Sequence, residues 1–372
     1  MIDLFYISTN SMWSGSEELW SRSAKTFIDA GYSVCVATVY DHEKLDELKV
    51  KRLNFLNRFV PKPFLKRGIE RFLPIKFETK DSLKDLLLEA KPQLVIISQG
   101  NIYESIDVIN LCKYLNFPYI TLTQLVSDLF IWVGKNEHVF TFREVYRNAK
   151  KNFFVSHSNL KLNNFILGCD LLNAEVVYNP CKLLNDELPA FSKISGFYTI
   201  GLVGRIECWH KGYDLLVQVL SEDKWKKRPI QFNMYGDGPH TEFIKTYISK
   251  WELKNLVLKG HSNHIGEVWS ENQILLMPSR FEGQALALIE AMWCQRAAIV
   301  TDVGGASELI EEGVSGFIAD APTIASIDAA LERAWEKRDE WQQMGIKAAA
   351  SLREKHPADA VEYFNQQLLK LL

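Results

Sequence analysis

Short apolar runs of strand length recur along the chain, separated by segments with helical periodicity. Each run is continuous rather than alternating, the pattern of a parallel strand that is buried on both faces. The runs are DLFYIS, YSVCVATV, QLVIIS, YITLT, NFFVS and AEVVYN, followed by FYTIGLVG, IQFNMYG, LVLKG, ILLMP, AAIVTD and GFIA. Strands that alternate with helices predict two doubly wound α/β domains.

A linker is predicted between the two series, at NPCKLLNDELPAFSKISG. We therefore expect a first domain at 1–187 and a second at 188–356. The chain from Pro322 onward has a helical pattern that Pro357 interrupts. Ligands of such domains bind outside the carboxyl ends of the strands, and each loop considered below follows a predicted strand at that end. We therefore expect one cleft shared by both domains.

The bulk composition narrows the class of protein. With 372 residues the chain suits two domains, and a net charge of -3 excludes a globally basic nucleic-acid binder. Six scattered cysteines without metal-like spacing predict reduced thiols in a cytosolic protein. The opening MIDLFYIS lacks the basic region of a signal peptide, and no apolar run reaches membrane-spanning length. We expect a protein of the cytoplasm or of the cytoplasmic membrane face.

Two carboxylates bracket the segment that follows the strand pattern ILLMP. In SRFEGQALALIEAM, Glu282 is predicted in the strand-to-helix loop and Glu290 about two turns into the helix. Gly283 lets the backbone approach a ligand, and the free amides of the first helical turn form an anion site. Hydroxyl-binding acids beside an anion site fit a sugar nucleotide.

Two cations share the loop of GLVGRIECWHKGYDLL. Arg205 and Lys211 lie six positions apart before a predicted helix, and a guanidinium and an ammonium together suit a diphosphate. Two surface cations flanking a turn are the alternative interpretation. Gly204 and Gly212 indicate tight backbone geometry on both sides, which favours a ligand-binding loop.

Two further loops of the second half follow predicted strands. MYGDGPH begins like a dinucleotide fingerprint at Gly236, but Thr241 replaces the third glycine, so nicotinamide binding is disfavoured. In KGHSNHIGEVW the backbone from His261 to Ile265 is a candidate contact for the nucleotide base. A metal site at His261 and His264 lacks nearby cysteine or acidic partners.

The first half contains one more candidate anion site and candidate residues for binding an acceptor molecule. In STNSMWSGSEELW, Gly15 and Ser16 precede a predicted capped helix start. ITLTQLVSDLFIW offers Gln124, Ser127 and Asp128 to an acceptor, although Asp128 also fits a helix cap.

A basic segment at 49–76 contains nine Lys or Arg residues and one acid, Glu70, with Phe and Leu interleaved. This composition is typical of segments that lie on an anionic membrane, and it also suits a phosphate-bearing lipid or a polyanionic acceptor. The alternative is a solvated face whose aromatic side chains pack into the first domain.

Several motifs together resemble glycosyltransferase family 4, retaining enzymes of GT-B architecture. They are SGSEE, VGRIECWHKGYDLL, MYGDGP, LKGH and PSRFEGQALALIEAMWCQRAAIVTDVGGASELIEEGVSGFI, in family order. The resemblance covers nearly all of the second half, whereas the first half matches mainly through its opening loop and VVYNP. It implies two Rossmann-like domains that face a cleft, with a C-terminal helix at 357–372 that crosses back to the first domain.

The resemblance also implies roles for individual residues. Arg205 and Lys211 would bind the donor diphosphate. Glu282 would contact the hydroxyls of the donor sugar near the reacting carbon, and Glu290 would hold the ribose. Three backbone amides would meet the sugar and phosphates, those of Gln284, Ala285 and Leu286.

The chain departs from the family pattern in two places. QAL replaces the usual FGL or PGL after Glu-Gly, which leaves the sugar preference open, and Gln124 lies nearest to where many members have a histidine. A glutamine cannot act as a base, so the histidine's role does not carry over.

The resemblance implies transfer of a hexose-type sugar from a nucleoside diphosphate-sugar, with UDP-sugar favoured. The acceptor would be a saccharide, a lipid-linked or another hydroxyl compound of glycan or cell-envelope biosynthesis. We expect no metal and no cofactor, because the sugar nucleotide is a co-substrate, and no nucleic-acid partner. The alternatives are another GT-B enzyme, such as an epimerase, and a non-catalytic scaffold that binds sugar nucleotides.

Overall fold

A computed structural model of the chain describes residues 2–10, 12–54, 83–127, 139–181, 183, 188–192 and 196–372. The chain divides into two compact units. The first unit comprises Met1–Phe154, Leu162–Val177 and Val361–Leu372. The second comprises Val155–Lys161 and Tyr178–Ala360. The predicted limits, 1–187 and 188–356, follow the chain, whereas these units follow contacts, so the two divisions differ most at 155–161 and 178–187.

The first unit is built on a seven-stranded parallel sheet with the strand order β3-β2-β1-β4-β5-β6-β7. Its strands are β1 (Leu4–Ser8), β2 (Val34–Thr38), β3 (Lys51–Asn54), β4 (Leu94–Asn101), β5 (Tyr119–Leu125), β6 (Lys151–Phe154) and β7 (Ala174–Val176). The helices of this part of the chain are α1 (Glu18–Asp29), α2 (Glu43–Asp46), α3 (Leu83–Ala90), α4 (Ile106–Tyr114), α5 (Val139–Asn148) and α6 (His157–Leu167).

The second unit repeats this topology in a six-stranded parallel sheet of order β10-β9-β8-β11-β12-β13. Its strands are β8 (Tyr198–Val203), β9 (Ile230–Tyr235), β10 (Leu256–Gly260), β11 (Ile274–Met277), β12 (Ala297–Thr301) and β13 (Gly316–Ala319). Its helices are α7 (Cys208–Lys211), α8 (Tyr213–Leu220), α9 (Asp223–Lys227), α10 (Thr241–Lys250), α11 (Ile265–Glu271), α12 (Leu286–Trp293), α13 (Ala306–Leu309), α14 (Ile324–Glu336) and α15 (Trp341–Lys355).

Apolar side chains cover both faces of the second sheet. Leu276 of β11 is buried in one hydrophobic cluster, and its neighbours Leu275 and Met277 are buried in the cluster on the other side. Successive side chains of a strand point to opposite faces, so a strand covered on both faces must be apolar throughout. This packing explains the continuous apolar runs of the sequence.

The last helix, α16 (Ala360–Leu369), belongs to the first unit from Val361 onward, as the predicted crossing requires. Its Phe364 packs edge-on against Phe153 of β6, with ring centroids 5.4 Å apart. Ser23 of α1 donates a hydrogen bond of 2.5 Å to Asn365. The chain end is therefore tied to the first sheet by both apolar and polar contacts.

The twelve predicted strands are all present, and β3 is an addition that the sequence pattern did not predict. The helical tail is divided by a 3₁₀ turn at Arg338–Glu340, between α14 and α15. All six cysteines are free thiols, five of them buried. No helix among the described residues combines the length and the apolar composition needed to cross a bilayer. Most of the basic segment, 55–76, lies outside the described residues, so its membrane contact stays a prediction.

Candidate functional site

The predicted site residues of the second unit gather at the point where its strand order reverses direction. β8 and β11 are neighbours in the sheet, and the chain leaves them toward opposite edges. In doubly wound sheets, ligands bind in the crevice beyond the carboxyl ends of two such strands. The loop after β8 carries Arg205, and the loop after β11 carries Glu282.

Lys211 and Glu282, far apart in the sequence, form an ion pair. The Lys211 ammonium donates to Glu282 Oε1 over 2.6 Å, and the Ser279 hydroxyl donates to the same oxygen over 2.7 Å. The Lys211 side chain is 19% exposed and that of Glu282 is 6% exposed. Glu282 Oε2 accepts no hydrogen bond from any described residue. One oxygen is therefore held by the protein, and the other has acceptor capacity for a ligand hydroxyl.

The electrostatics of Glu282 favour its ionised form. Burial by itself would raise the pKa of this carboxyl group. The Lys211 ammonium, the nearby His210 and the Ser279 hydroxyl outweigh burial, so the pKa of Glu282 is lowered from its ordinary value. Glu282 is thus a carboxylate at neutral pH, although it is almost completely removed from solvent.

A glycine contact accounts for the approach of the two loops. Gly212, directly after Lys211, has φ 69°, and a Cβ atom there would lie 1.9 Å from the carbonyl oxygen of Pro278. Any other residue would push the loops apart, so glycine is required at this position. The Arg280 amide also donates to the His210 carbonyl over 2.8 Å. These backbone contacts bring Lys211 to Glu282.

His210 is a member of this group that the sequence did not indicate. Burial and the Lys211 charge lower the pKa of His210, although Glu282 and Glu207 partly oppose them. The ring is therefore neutral at pH 7. Its Nε2 atom is buried and has no hydrogen-bond partner in the described part of the chain. The motif WHKG contains no periodicity or spacing that would have distinguished this histidine.

The second predicted cation also has an acidic partner. The Arg205 guanidinium, 41% exposed, forms an ion pair with Glu207. Glu207 also accepts a hydrogen bond of 2.7 Å from the Trp209 indole N–H. Each cation predicted to bind diphosphate is thus paired with a carboxylate, so a ligand phosphate must share or replace that partner.

The start of α12 presents backbone donors beside Glu282. No described residue accepts a hydrogen bond from the N–H groups of Gln284, Ala285 or Leu286. The first amides of a helix have no intrahelical partner, and together with the helix dipole they attract anions. Glu290 is buried at the fifth position of α12, so it lies little more than one turn into the helix, and the prediction of two turns is wrong.

Two glycines of TDVGGASELI, Gly304 and Gly305, contact the backbone of the loop between β11 and α12. A Cβ atom on Gly304, which has φ 55°, would lie 1.8 Å from the carbonyl oxygen of Glu282. The Gly305 amide donates to the Gly283 carbonyl over 2.7 Å. These glycines have a structural role, since they let the chain after β12 brace the loop between β11 and α12.

Other predicted donor residues of the second unit lie at neighbouring strand ends. The Gly204 amide donates to the Tyr235 carbonyl over 3.0 Å, and the Gly236 amide donates to the Gly260 carbonyl over 2.8 Å. His261 is exposed and its Nε2 lies 2.9 Å from Asn263 Oδ1. Ile265 begins α11. Among the described residues, no hydrogen bond or ion pair joins His261 or Ile265 to the Lys211–Glu282 pair, so their role at the base stays a prediction.

In the first unit, Gly15 and Ser16 form a 3₁₀ turn with Glu17 immediately before α1. The prediction of a capped helix start is wrong for the described residues, because neither Ser14 before this turn nor Glu17 before α1 forms a side-chain cap. The hydroxyls of Ser14 and Ser16 instead bond to each other over 2.6 Å. Anion binding at this turn stays a prediction.

Glu17 is a buried carboxyl group that the sequence did not single out. Ser8 and Trp20 each donate to Glu17 Oε2 over 2.8 Å, and Asn10 and Tyr40 donate to the same carboxyl group. Burial raises the pKa of Glu17 despite these four donors. Glu17 thus ties the loop after β1 to β2 and α1.

The acceptor-side candidates are partly described. Gln124 and Ser127 are buried at the carboxyl end of β5, and Asp128 lies outside the described residues. The Gln124 Nε2 atom is buried and has no partner among the residues that the structure covers. Within those residues, no group of three or more His, Cys, Asp or Glu side chains could hold a metal ion.

A comparison with known families matches most of the second unit. Residues 185–351 match the family model described as glycosyl transferases group 1. The second unit is thus similar to this family over less than half of the whole chain. The match supports a transferase enzyme, and it covers the loops that contain Arg205, Lys211 and Glu282.

Curated relatives align with part of this chain and part of their own. An uncharacterized glycosyltransferase of Methanocaldococcus jannaschii is 27% identical over 55% of this chain and 55% of its own length. An alpha-D-kanosaminyltransferase of Streptomyces kanamyceticus is 28% identical over 40% and 39%. A poly(ribitol-phosphate) alpha-N-acetylglucosaminyltransferase of Staphylococcus aureus is 25% identical over 58% and 45%. The chain thus spans about half the length of the curated relatives it matches.

Solved structures match the fold over the whole chain. A glycosyltransferase from Rickettsia africae superposes with a TM-score of 0.75 at 16% identity, covering 99% of this chain and 98% of the other. Anabaena HepE in complex with UDP-glucose gives a TM-score of 0.75 at 15% identity and covers 100% of both chains. At this identity the likeness shows the fold alone, which is the GT-B fold with two Rossmann-like domains.

Proposed function

We propose that the protein is a retaining glycosyltransferase of family 4 that moves a hexose-type sugar from a nucleoside diphosphate-sugar to an acceptor hydroxyl. UDP-sugar is the favoured donor, and the acceptor is a saccharide, a lipid-linked or another hydroxyl compound of glycan or cell-envelope biosynthesis. The observation that carries the proposal is the Lys211–Glu282 pair beside three amides without an acceptor among the described residues, in the region that matches glycosyl transferases group 1. The names of the relatives and the UDP-glucose bound to Anabaena HepE support a sugar nucleotide as donor.

The ion pairs hold the cations in position before the donor arrives. Lys211 uses one of three ammonium protons on Glu282, so the others can reach a phosphate oxygen. The guanidinium of Arg205 is partly exposed and has five N–H donors, so it can bind a diphosphate while it remains near Glu207. Donors oriented in advance stabilise developing charge without reorganisation at the moment of reaction.

Bond breaking at the anomeric carbon places negative charge on the departing diphosphate. Lys211, Arg205 and the amides of residues 284–286 would neutralise this charge, which is why we expect turnover without a divalent metal. Glu282 Oε2 would accept a hydrogen bond from a sugar hydroxyl, and Glu290 would hold the ribose. The acceptor oxygen bonds to the anomeric carbon on the face that the diphosphate leaves, and the acceptor proton passes to a diphosphate oxygen.

A product assay tests the proposal. The protein is incubated with UDP-, GDP- and ADP-hexoses, a panel of saccharide and lipid-linked acceptors, and EDTA. We expect a new glycosidic bond with the anomeric configuration of the donor, detected by mass spectrometry and NMR. Thermal-shift measurements with UDP, GDP and ADP identify the base, because a ligand of the folded state raises stability as its concentration exceeds Kd.

The other possible outcomes separate the alternatives. A changed donor sugar without a new glycosidic bond would indicate an epimerase. Donor binding without any conversion would indicate a non-catalytic scaffold. Inversion of configuration would contradict the retaining mechanism, and the absence of any nucleotide binding would contradict the proposal as a whole.

A further inference from the structure

Gln284 occupies the position where the chain departs from the family pattern, and its side chain is buried against Asn179. The Asn179 backbone amide donates to Gln284 Oε1 over 2.6 Å. In the opposite sense, the Asn179 side-chain amide donates to the backbone carbonyl of Gln284 over 3.0 Å. Asn179 is 3% exposed and Gln284 is 7% exposed. Both the side chain and the carbonyl of Gln284 are therefore fixed by one residue.

Asn179 is itself held from its other side. Its carbonyl oxygen lies 3.0 Å from His356 Nε2, and the Pro357 carbonyl oxygen lies 3.0 Å from His356 Nδ1. Burial lowers the pKa of His356, so the ring is neutral and donates its single proton to one of the two carbonyls. Through Asn179, the donor loop is linked to the residue that follows α15.

The two bonds have a geometric consequence for the donor amides. In a planar trans peptide, the N–H points opposite to the C=O of the preceding residue. The Gln284 carbonyl points to Asn179, so the Ala285 N–H must point away from Asn179. The Gly283 carbonyl points to the Gly305 amide, so the Gln284 N–H must point away from Gly305. Two successive amides, neither with an acceptor among the described residues, thus have their directions set by contacts behind the loop.

We infer that Gln284 and Asn179 form a positioning pair that aims the Ala285 amide at the sugar and phosphate oxygens of the nucleotide donor. The inference rests on the proposed function, because it assigns that amide to the donor. In this arrangement the pair acts on the donor through the backbone of residue 285. The bond from Asn179 requires an acceptor at the end of the side chain at 284, which the phenylalanine or proline of the family pattern lacks.

The pair is tested with Gln284→Met, which keeps the size of the side chain and removes the acceptor. The matched control is Gln273→Met. Gln273 is also buried in the second unit, where its Oε1 accepts from the Thr199 amide over 2.9 Å and its Nε2 donates to the Ser192 carbonyl over 3.2 Å. Both variants remove a buried acceptor from a backbone amide, so we expect a similar loss of stability from each.

Calorimetry with UDP and with inorganic pyrophosphate provides the readout that stability alone would not change. We expect Gln284→Met to weaken binding of both ligands about tenfold, the size of one misdirected hydrogen bond. Gln273→Met should bind both within about twofold of wild type, since its bonds lie outside the donor loop. The double variant Asn179→Ala/Gln284→Met should lose no more affinity than the weaker-binding single variant, because the two residues act as one unit.

Three results would overturn the inference, and they are distinguishable. If wild type binds UDP and Gln284→Met binds it equally well, the positioning role is wrong and the proposed function stands. If wild type binds neither UDP nor pyrophosphate, the proposed function fails and the positioning role fails with it. If Gln284→Met and Gln273→Met bind UDP equally weakly, the effect comes from a general loss of stability, and the positioning role is contradicted.

Discussion

Two buried glutamates, one in each unit, follow central strands of their sheets and have opposite electrostatics. Glu17 follows β1 and Glu282 follows β11, each a strand where the order of its sheet reverses direction. The described partners of Glu17 are uncharged, and burial raises its pKa. Glu282 has Lys211 at 2.6 Å, and its pKa is lowered.

The difference separates an anchor from a ligand-binding group. Donors from five residues use the carboxyl group of Glu17, so it stabilises a loop and has little capacity left for a ligand. Glu282 keeps one oxygen without a donor among the described residues and lies beside a cation. Burial and a position after a central strand are therefore insufficient to indicate function, and the partners of the carboxyl group decide it.

The largest expected effect is on turnover at Glu282. We expect Glu282→Gln or Lys211→Met to lower kcat/KM about 10²-fold or more, because each removes a group that acts on the transition state. Glu17→Gln should lower it less than about tenfold, since an anchor acts only through the loop. Steady-state kinetics with saturating acceptor make the comparison. Near-normal turnover in Glu282→Gln and Lys211→Met would contradict the proposed roles of these residues in the transition state.

The second effect is on the free energy of unfolding. Lys211→Met leaves the Glu282 carboxylate buried without its cation, and we expect a loss of about 2 kcal/mol, less than for a fully buried pair because Lys211 is partly exposed. Lys211→Met/Glu282→Gln should recover most of this loss, because no buried charge remains. Urea unfolding measures both values.

A more exposed lysine provides the control for that measurement. Lys224 of α9 is 34% exposed, and its ammonium donates to Asp328 over 2.6 Å and also pairs with Glu222 and Glu332. We expect Lys224→Met to cost about 1 kcal/mol or less. A loss as large as that of Lys211→Met would show that burial of Glu282 does not increase the loss of stability caused by removing its cation.

The smallest expected effect is on the pH dependence of the free energy of unfolding, to which Glu17 and Glu282 should contribute with opposite signs. The raised pKa of Glu17 contributes stability that is present below the unfolded pKa of about 4.3 and is lost as pH rises through the folded pKa. The lowered pKa of Glu282 contributes stability that is present above the unfolded pKa and is lost as pH falls through the folded pKa. Glu17→Gln and Glu282→Gln should therefore remove slopes of opposite sign, measured by urea unfolding at a series of pH values. Slopes of the same sign would contradict the comparison.

Much of the fold could be predicted because strands buried on both faces require continuous apolar runs. β3 was missed because its sequence, KRLN, has two cations and one apolar residue, and its place at the sheet edge removes the need for an apolar pattern. The membership of Val155–Lys161 in the second unit was also missed. That membership depends on contacts such as the Ser158 amide with Glu308 over 2.6 Å, which no local pattern encodes.

The site was predicted to a similar extent and for a similar reason. Lys211 and Glu282 could be chosen as candidates because each lies in a motif whose glycines and helix start are local features, and their role at the donor stays a prediction. Their pairing partners were harder to find: Glu207 shares a loop with Arg205, but nothing in RIE shows that the acid faces the cation. Glu17 and Glu18 are adjacent acids that the sequence does not distinguish. In the fold, Glu17 has uncharged partners, whereas Glu18 pairs with the Lys44 ammonium at 3.2 Å.

The most direct measurement is a crystal structure of the protein soaked with UDP-glucose. We expect the diphosphate within about 3 Å of the Lys211 ammonium, the Arg205 guanidinium and the amides of residues 284–286, with the ribose hydroxyls on Glu290. The sugar should place a hydroxyl against Glu282 Oε2. A nucleotide bound elsewhere, or one from which Arg205 and Glu290 both point away, would contradict the assignment of this site to the donor.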